Sequence, residues 1–151
     1  MSLDALYQQV ILDHSKERHG SGFAETLGEP EAAGFGESHQ LNPVCGDEVT
    51  VRVAVADGAI QSVRWEGQGC SISMASASVL HDLVEGVSPE EFHELVDAFR
   101  EMIRSRGQVQ GDPEVLGDAA AFEGVSRYAA RVKCAMIAWV AAEDAARQAG
   151  V

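Results

Sequence analysis

The chain has 151 residues, 46% of them hydrophobic and 23% charged, which is the make-up of an ordinary globular protein. That length predicts one domain, residues 1–151, around one core. The formal net charge of −13, with a pI of about 4.6, argues against nucleic acid as a partner, because phosphate binding needs a basic surface. The apolar run Ala135 to Ala142 ends at Glu143–Asp144, far short of the ~20 residues that span a bilayer, so no membrane partner is expected. The opening MSLDALYQQ has neither the basic start nor the apolar core of an export signal. Three cysteines is an odd number without disulfide-like density, so reduced thiols in a cytoplasmic setting are the expectation.

Leu3, Leu6, Tyr7, Val10 and Ile11 share one face of an amphipathic helix that His14 extends, and Gly20 and Gly22 end it. Residues 20–38 predict a loop leading into a short strand near Ser38–Leu41. From Glu48, valines 49, 51, 53 and 55 alternate with other residues, the period of a half-buried strand. Asp57–Gly58 is a hairpin-turn signal, with a return strand from Ala59 to Trp65. Such a hairpin needs helices to cover its apolar face.

Ser71–Ile72–Ser73 opens a second helix that runs through Val84 and stops at Gly86. Its small residues Ala75, Ser76, Ala77 and Ser78 permit a close approach by another element. Ser88–Pro89–Glu90–Glu91 starts a third: Ser88 caps, Pro89 suits the first turn and Glu91 completes a capping box. Phe92, Leu95, Val96, Phe99, Met102 and Ile103 form its core stripe. Residues 107–128 are punctuated by Gly, Asp and Pro and predict irregular or short helical structure. Arg131 to Gln148 predicts a last helix, apolar on most sides at its middle and therefore central.

The chemistry-bearing residues are the cysteines. Cys45 sits in the turn NPVCGD, residues 42–47, beside Gly46 and two residues before Asp47. Cys70 stands between strand and helix, where unpaired N–H groups and the positive end of the helix dipole favour a thiolate, and Gly69 admits close backbone approach. Cys134 lies in the first turns of the last helix. Thiolates with a carboxylate suit zinc, and three thiolates also suit an iron–sulfur cluster. Against this, free cysteine is often a small buried hydrophobe, an Asp in a turn commonly caps it, and single cysteines at these spacings do not show that they converge. Five histidines, at 14, 19, 39, 81 and 93, form no HxxH or HxxxH pair, and His81 and His93 are expected on helix surfaces. A P-loop, GxGxxG and GxSxG are all absent, so nucleotide binding and serine hydrolysis lack their usual signals.

Four stretches carry a resemblance: LYQQVILDHSKERHG at 6–20, NPVCGD at 42–47, GQGCSISMASAS at 67–78 and RVKCAMIAW at 131–139. In this order they resemble the U-type iron–sulfur cluster assembly proteins. The scaffold branch of that family has histidine directly before the third cysteine. Here that residue is Lys133, which with Arg131 and the inserted 107–128 segment is similar to the SufU-type branch. The resemblance implies an α+β fold, a small three-stranded antiparallel sheet packed with about five helices. It implies one zinc ion held by Cys45, Asp47, Cys70 and Cys134. It also implies a sulfur acceptor for a SufS-like cysteine desulfurase, feeding downstream iron–sulfur assembly machinery as a zinc-dependent sulfurtransferase. Cys45 would carry the persulfide, with Arg131 as an electrostatic partner. Without the resemblance, Arg131 is equally a surface arginine of a helix. A closed four-ligand zinc is inert, so transfer requires a ligand to leave. Cys45, flanked by Pro43 and Gly46, is the expected one, replaced by a ligand from the partner. Two alternatives are an iron–sulfur scaffold using a transient cluster on the same three cysteines and Asp47, and a zinc that is purely structural.

Overall fold

A computed structural model describes residues 3–23, 34–44 and 46–151. Helix α1 (Leu3–Glu17) precedes strands β1 (Gly34–Leu41), β2 (Glu48–Ala56) and β3 (Ala59–Gln68). Then come α2 (Ser71–Val84), α3 (Pro89–Ile103), the single turn α4 (Pro113–Leu116), a 3-10 segment (Gly117–Arg127) and α5 (Ala129–Gln148). The expected α+β architecture, three antiparallel strands with five helices, is what the chain adopts.

The sheet order is β1-β2-β3, antiparallel throughout. Asp57 and Gly58 turn the β2–β3 hairpin with φ of 54° and 75°, and positive φ at both central residues is the geometry whose twist suits paired strands. Ser38, Val51 and Trp65 stand opposite one another across the three strands, as do Gly36, Val53 and Val63. These cross-strand sets share one face, and the valines and Trp65 on it are fully buried. Polar residues hold the other face, where Arg52 pairs with Glu37 at 2.6 Å.

The first strand begins four residues earlier than the sequence suggests, at Gly34 rather than near Ser38. Its glycines explain both the strand and the difficulty of seeing it. A Cβ at Gly36 would lie 1.9 Å from the Ala145 carbonyl oxygen, and one at Gly34 would lie 2.1 Å from that of Ala149. The strand can lie under the C-terminal half of α5 only because these side chains are missing.

Helix α2 is the hub. Every residue from Ile72 to Leu80 is buried, and three of its serines face three different neighbours. Ser73 Oγ donates to Asp47. Ser76 Oγ donates to the Ala135 carbonyl at 2.6 Å and accepts from the Trp139 indole N–H at 2.9 Å, which ties α2 to α5. Ser78 bonds the His14 ring at 2.7 Å and accepts from the His19 backbone N–H at 2.9 Å, which ties α2 to the end of α1. Small residues let the helices approach, and their hydroxyls satisfy polar groups that burial would otherwise strand.

Helix α3 follows its sequence signals. Ser88 Oγ accepts from the Glu91 N–H, Pro89 opens the helix, and all six residues of the predicted stripe are buried. Phe99 stacks on Trp139 with centroids 4.1 Å apart and planes 3° apart. Helix α1 differs. Of its predicted apolar face Tyr7, Val10 and Ile11 are half-buried, Leu3 and Leu6 are exposed, and His14 is the residue it buries. Nor are His81 and His93 free surface residues: each is half-buried, with a ring nitrogen on the carbonyl of Val63 at 2.6 Å and of Val151 at 2.9 Å respectively. Each ring nitrogen thus partners a backbone carbonyl of another element or of the chain's last residue. Among the described residues no helix is long and apolar enough to cross a membrane.

Candidate metal centre

Three elements meet beside the N-terminus of α2. The β1–β2 connection supplies Asp47. The Asn42 N–H donates to the Asp47 carbonyl at 2.8 Å, the Gly46 N–H donates to the Asn42 carbonyl at 2.8 Å, and the Asn42 side chain accepts from the Val44 N–H at 3.1 Å. Gly46 has φ of 77°, so its lack of a side chain serves the turn rather than a close approach, since nothing lies within 4 Å of where a Cβ would be. At Gly69 the reason is close approach: a Cβ there would fall 2.8 Å from the Asp47 carboxylate carbon. The missing side chain is what lets the β3–α2 junction lie against Asp47.

Asp47 is 5% exposed. Its Oδ1 accepts from the Cys70 backbone N–H at 3.3 Å, and Oδ2 accepts from Ser73 Oγ and, at 3.4 Å, from Cys70 Sγ. Cys70 is the cap residue of α2, with an extended backbone and an exposed side chain. Cys134 enters from α5. It is 7% exposed, with Sγ 3.8 Å from the Ala130 carbonyl. One ligand atom from each of Asp47, Cys70 and Cys134 lies within 4.8 Å of the others. Two sulfurs and a carboxylate oxygen, with Asp47 and Cys134 buried and Cys70 exposed, form a donor set that fits zinc, which takes thiolate and carboxylate ligands in a compact tetrahedron.

Of the other residues singled out from the sequence, Cys45 lies outside the described residues. Arg131 is exposed in the first turn of α5, three residues before Cys134. It lines an open, largely apolar groove of about 430 Å³, bordered by Tyr7, Ile11, Ile72 and Tyr128 and reaching Ser71 beside Cys70. Lys133 is exposed.

A second cluster has no counterpart in the sequence reading. His14, His19 and Asp82 also place one ligand atom each within 4.8 Å of one another. His14 and His19 straddle the end of α1, and Asp82 comes from the far part of α2. The His19 ring is 2.6 Å from Asp82, and that hydrogen bond raises the His19 pKa above its ordinary value. A search for histidine pairs within one helix passes over this arrangement, because the chain turns between the two rings.

A model of the NifU-like N-terminal domain matches residues 6–135. The chain is 36% identical to the iron–sulfur cluster assembly scaffold protein IscU of Streptococcus pyogenes serotype M1, over 97% of this chain and 86% of that protein. It is 35% identical to the zinc-dependent sulfurtransferase SufU of Bacillus subtilis strain 168, over 94% of this chain and 90% of that one. The fold is similar to the crystal structure of FiSufU from Fervidobacterium islandicum AW-1, with a TM-score of 0.72 and 31% identity over 93% of this chain and 96% of the other.

Proposed function

Because the chain belongs to the NifU-like N-terminal domain family of iron–sulfur cluster assembly proteins, we propose that it is a zinc-dependent sulfur acceptor in the cytoplasm. It takes persulfide sulfur from a SufS-like cysteine desulfurase and passes it to downstream iron–sulfur assembly machinery. The observation that carries this reading is the convergence of Asp47, Cys70 and Cys134, three of the four ligands it requires, to within 4.8 Å. Cys45, two residues from Asp47, is the fourth. Bound zinc would supply the positive charge that keeps these thiols deprotonated at neutral pH.

The residues then divide the work. Ser73 and the Cys70 N–H hold the Asp47 carboxylate in one orientation, as the partners of a ligating carboxylate commonly do. Once a ligand from the partner replaces it, the Cys45 thiolate would attack the outer sulfur of the desulfurase persulfide. A new S–S bond forms on Cys45, the persulfide S–S bond breaks, and the desulfurase cysteine leaves as a thiolate, so no outside oxidant or reductant is needed. Three thiolates and a carboxylate carry more negative charge than zinc neutralises. Arg131, one turn before Cys134, offsets part of that excess.

The scaffold reading, in which a transient cluster forms on the same three cysteines and Asp47, draws support from the scaffold-named relative, whose identity of 36% matches the 35% of the sulfurtransferase. Lys133 weighs against it, because a lysine before Cys134 offers no imidazole ligand. Zinc-loaded protein added to a cysteine desulfurase from the same source, with free cysteine, separates the two. Stimulated turnover that disappears with Cys45→Ala is the expected result. Absence of stimulation by the unaltered chain, together with a stable cluster after anaerobic iron and sulfide loading, would establish the scaffold instead.

A further inference from the structure

We propose that His14, His19 and Asp82 form a second, thiol-free site for a first-row divalent cation of the zinc class, at the joint between α1 and α2. The site does not depend on the sulfur-acceptor reading, because it shares no residue with the thiol cluster.

Its geometry is built by the turn after α1. His14, on the last turns of the helix, is 4% exposed and has both ring nitrogens engaged, Nδ1 with Ser78 on α2 at 2.7 Å and Nε2 with Asp118 on the 3-10 segment at 2.9 Å. The chain then reverses through Arg18, with φ of 51°, and Gly20, with φ of 79°. His19 comes back over α2, where Ser78 accepts its backbone N–H, and the two rings meet edge to face with centroids 5.0 Å apart. Trp65 locks the reversal by donating its indole N–H to the His19 carbonyl at 2.7 Å. Asp82, further along α2, faces His19 Nδ1 at 2.6 Å. The result is two imidazoles and a carboxylate with ligand atoms within 4.8 Å of one another. Small side-chain rotations bring such a set to the ~3.3 Å spacing of a tetrahedral site with metal–nitrogen distances of about 2.0–2.1 Å.

The outer contacts are what distinguish this group from a chance meeting of polar side chains. A metal-bound imidazole uses one nitrogen for the ion and gives the other N–H to a carboxylate or carbonyl, which fixes its tautomer and orientation. His14 has that carboxylate already, Asp118 at Nε2, so Nδ1, which here meets the Ser78 hydroxyl at 2.7 Å, becomes the ligating atom once that hydroxyl turns aside. Glu17 stands 3.8 Å from His19 Nε2, while Nδ1 faces Asp82. The His14 ring therefore has an acid bonded on the nitrogen away from the shared site, and the His19 ring has one nearby. A cation would take the place of the proton between His19 and Asp82. Two nitrogens and one oxygen favour zinc, cobalt, nickel or copper over calcium or magnesium. The side chains of His19 and Asp82 are 38% and 45% exposed, so solvent completes the coordination and the ion has an entry path.

The test is an anaerobic cobalt(II) titration of the metal-free, tag-free full chain. The first equivalent is expected to give the near-ultraviolet charge-transfer band of cobalt–thiolate bonds. The second is expected to add only weak visible bands of a nitrogen–oxygen site. His19→Ala, at a half-buried position, should bind one equivalent with the thiolate band intact. Asp118→Asn should keep both sites and weaken the second about 10- to 100-fold. Saturation of the unaltered chain at one equivalent that carries the thiolate band would overturn the proposal, and so would a second equivalent that persists unchanged in His19→Ala, which would place it on surface carboxylates. A visible band that His19→Ala abolishes, with no thiolate band in any form, would support this site while sinking the thiol centre.

Discussion

Helices α1 and α3 are the same length, 15 residues, and both show apolar residues at helical spacing, yet they are held in opposite ways. Helix α3 buries its whole stripe, from Phe92 to Ile103, and has its ring contacts with Phe122 and Trp139. Helix α1 leaves Leu3 56%, Leu6 49% and Leu12 45% exposed, and is fastened at its C-terminal end by His14 and the turn behind it. One helix is kept by area removed from water, the other by a few directional bonds. Apolar periodicity shows that a helix has a face; it does not show how much of that face the rest of the chain will cover.

The largest test of this contrast is Phe99→Ala. It removes a fully buried ring from between two others and should cost about 3–5 kcal/mol in urea unfolding. A loss under 1 kcal/mol would mean that α3 is not held by its core. His14→Ala should cost about 1–3 kcal/mol, because Ser78 and Asp118 both lose a partner. Amide exchange should accelerate selectively through α1, and acceleration spread evenly over the molecule would contradict a local anchor. Ser88→Ala should cost about 1 kcal/mol through the lost cap of α3, measured as a fall in the urea midpoint at unchanged slope. Leu6→Ala should change stability by no more than about 0.5 kcal/mol, since the side chain is half exposed. A cost several times larger would show that the exposed face of α1 is covered in solution.

The same distinction explains what could be read in advance. Helix α3 was legible because its signals are local: Ser88, Pro89 and Glu91 set the start and six apolar residues set the face. The β2–β3 hairpin was legible through Asp57–Gly58 and the alternating valines. The start of β1 was hidden, since Gly34 and Gly36 are poor strand residues whose placement makes sense only with α5 on top of them. At the thiol cluster the composition suggested a donor set, but spacings alone could not show convergence, and the link to Cys134 came from resemblance. The two imidazoles carry no local signal, because one lies inside a helix and the other beyond its end, with Asp82 supplied from another element altogether.

The bare strip on β1 has a consequence for the sulfur of Cys134. Helix α5 is one uninterrupted rod. Its far portion rests on the two glycines, and Ala145 is roughly 16 Å beyond Cys134 along the axis at ~1.5 Å per residue. Two absent side chains thus seat one end of the rod, while Ser76 holds the other end at Ala135, the residue after Cys134. Gly36→Ala would have to lift the rod off its seat, and would strain its tie to α2 beside Cys134 without touching Asp47, Cys70 or Cys134.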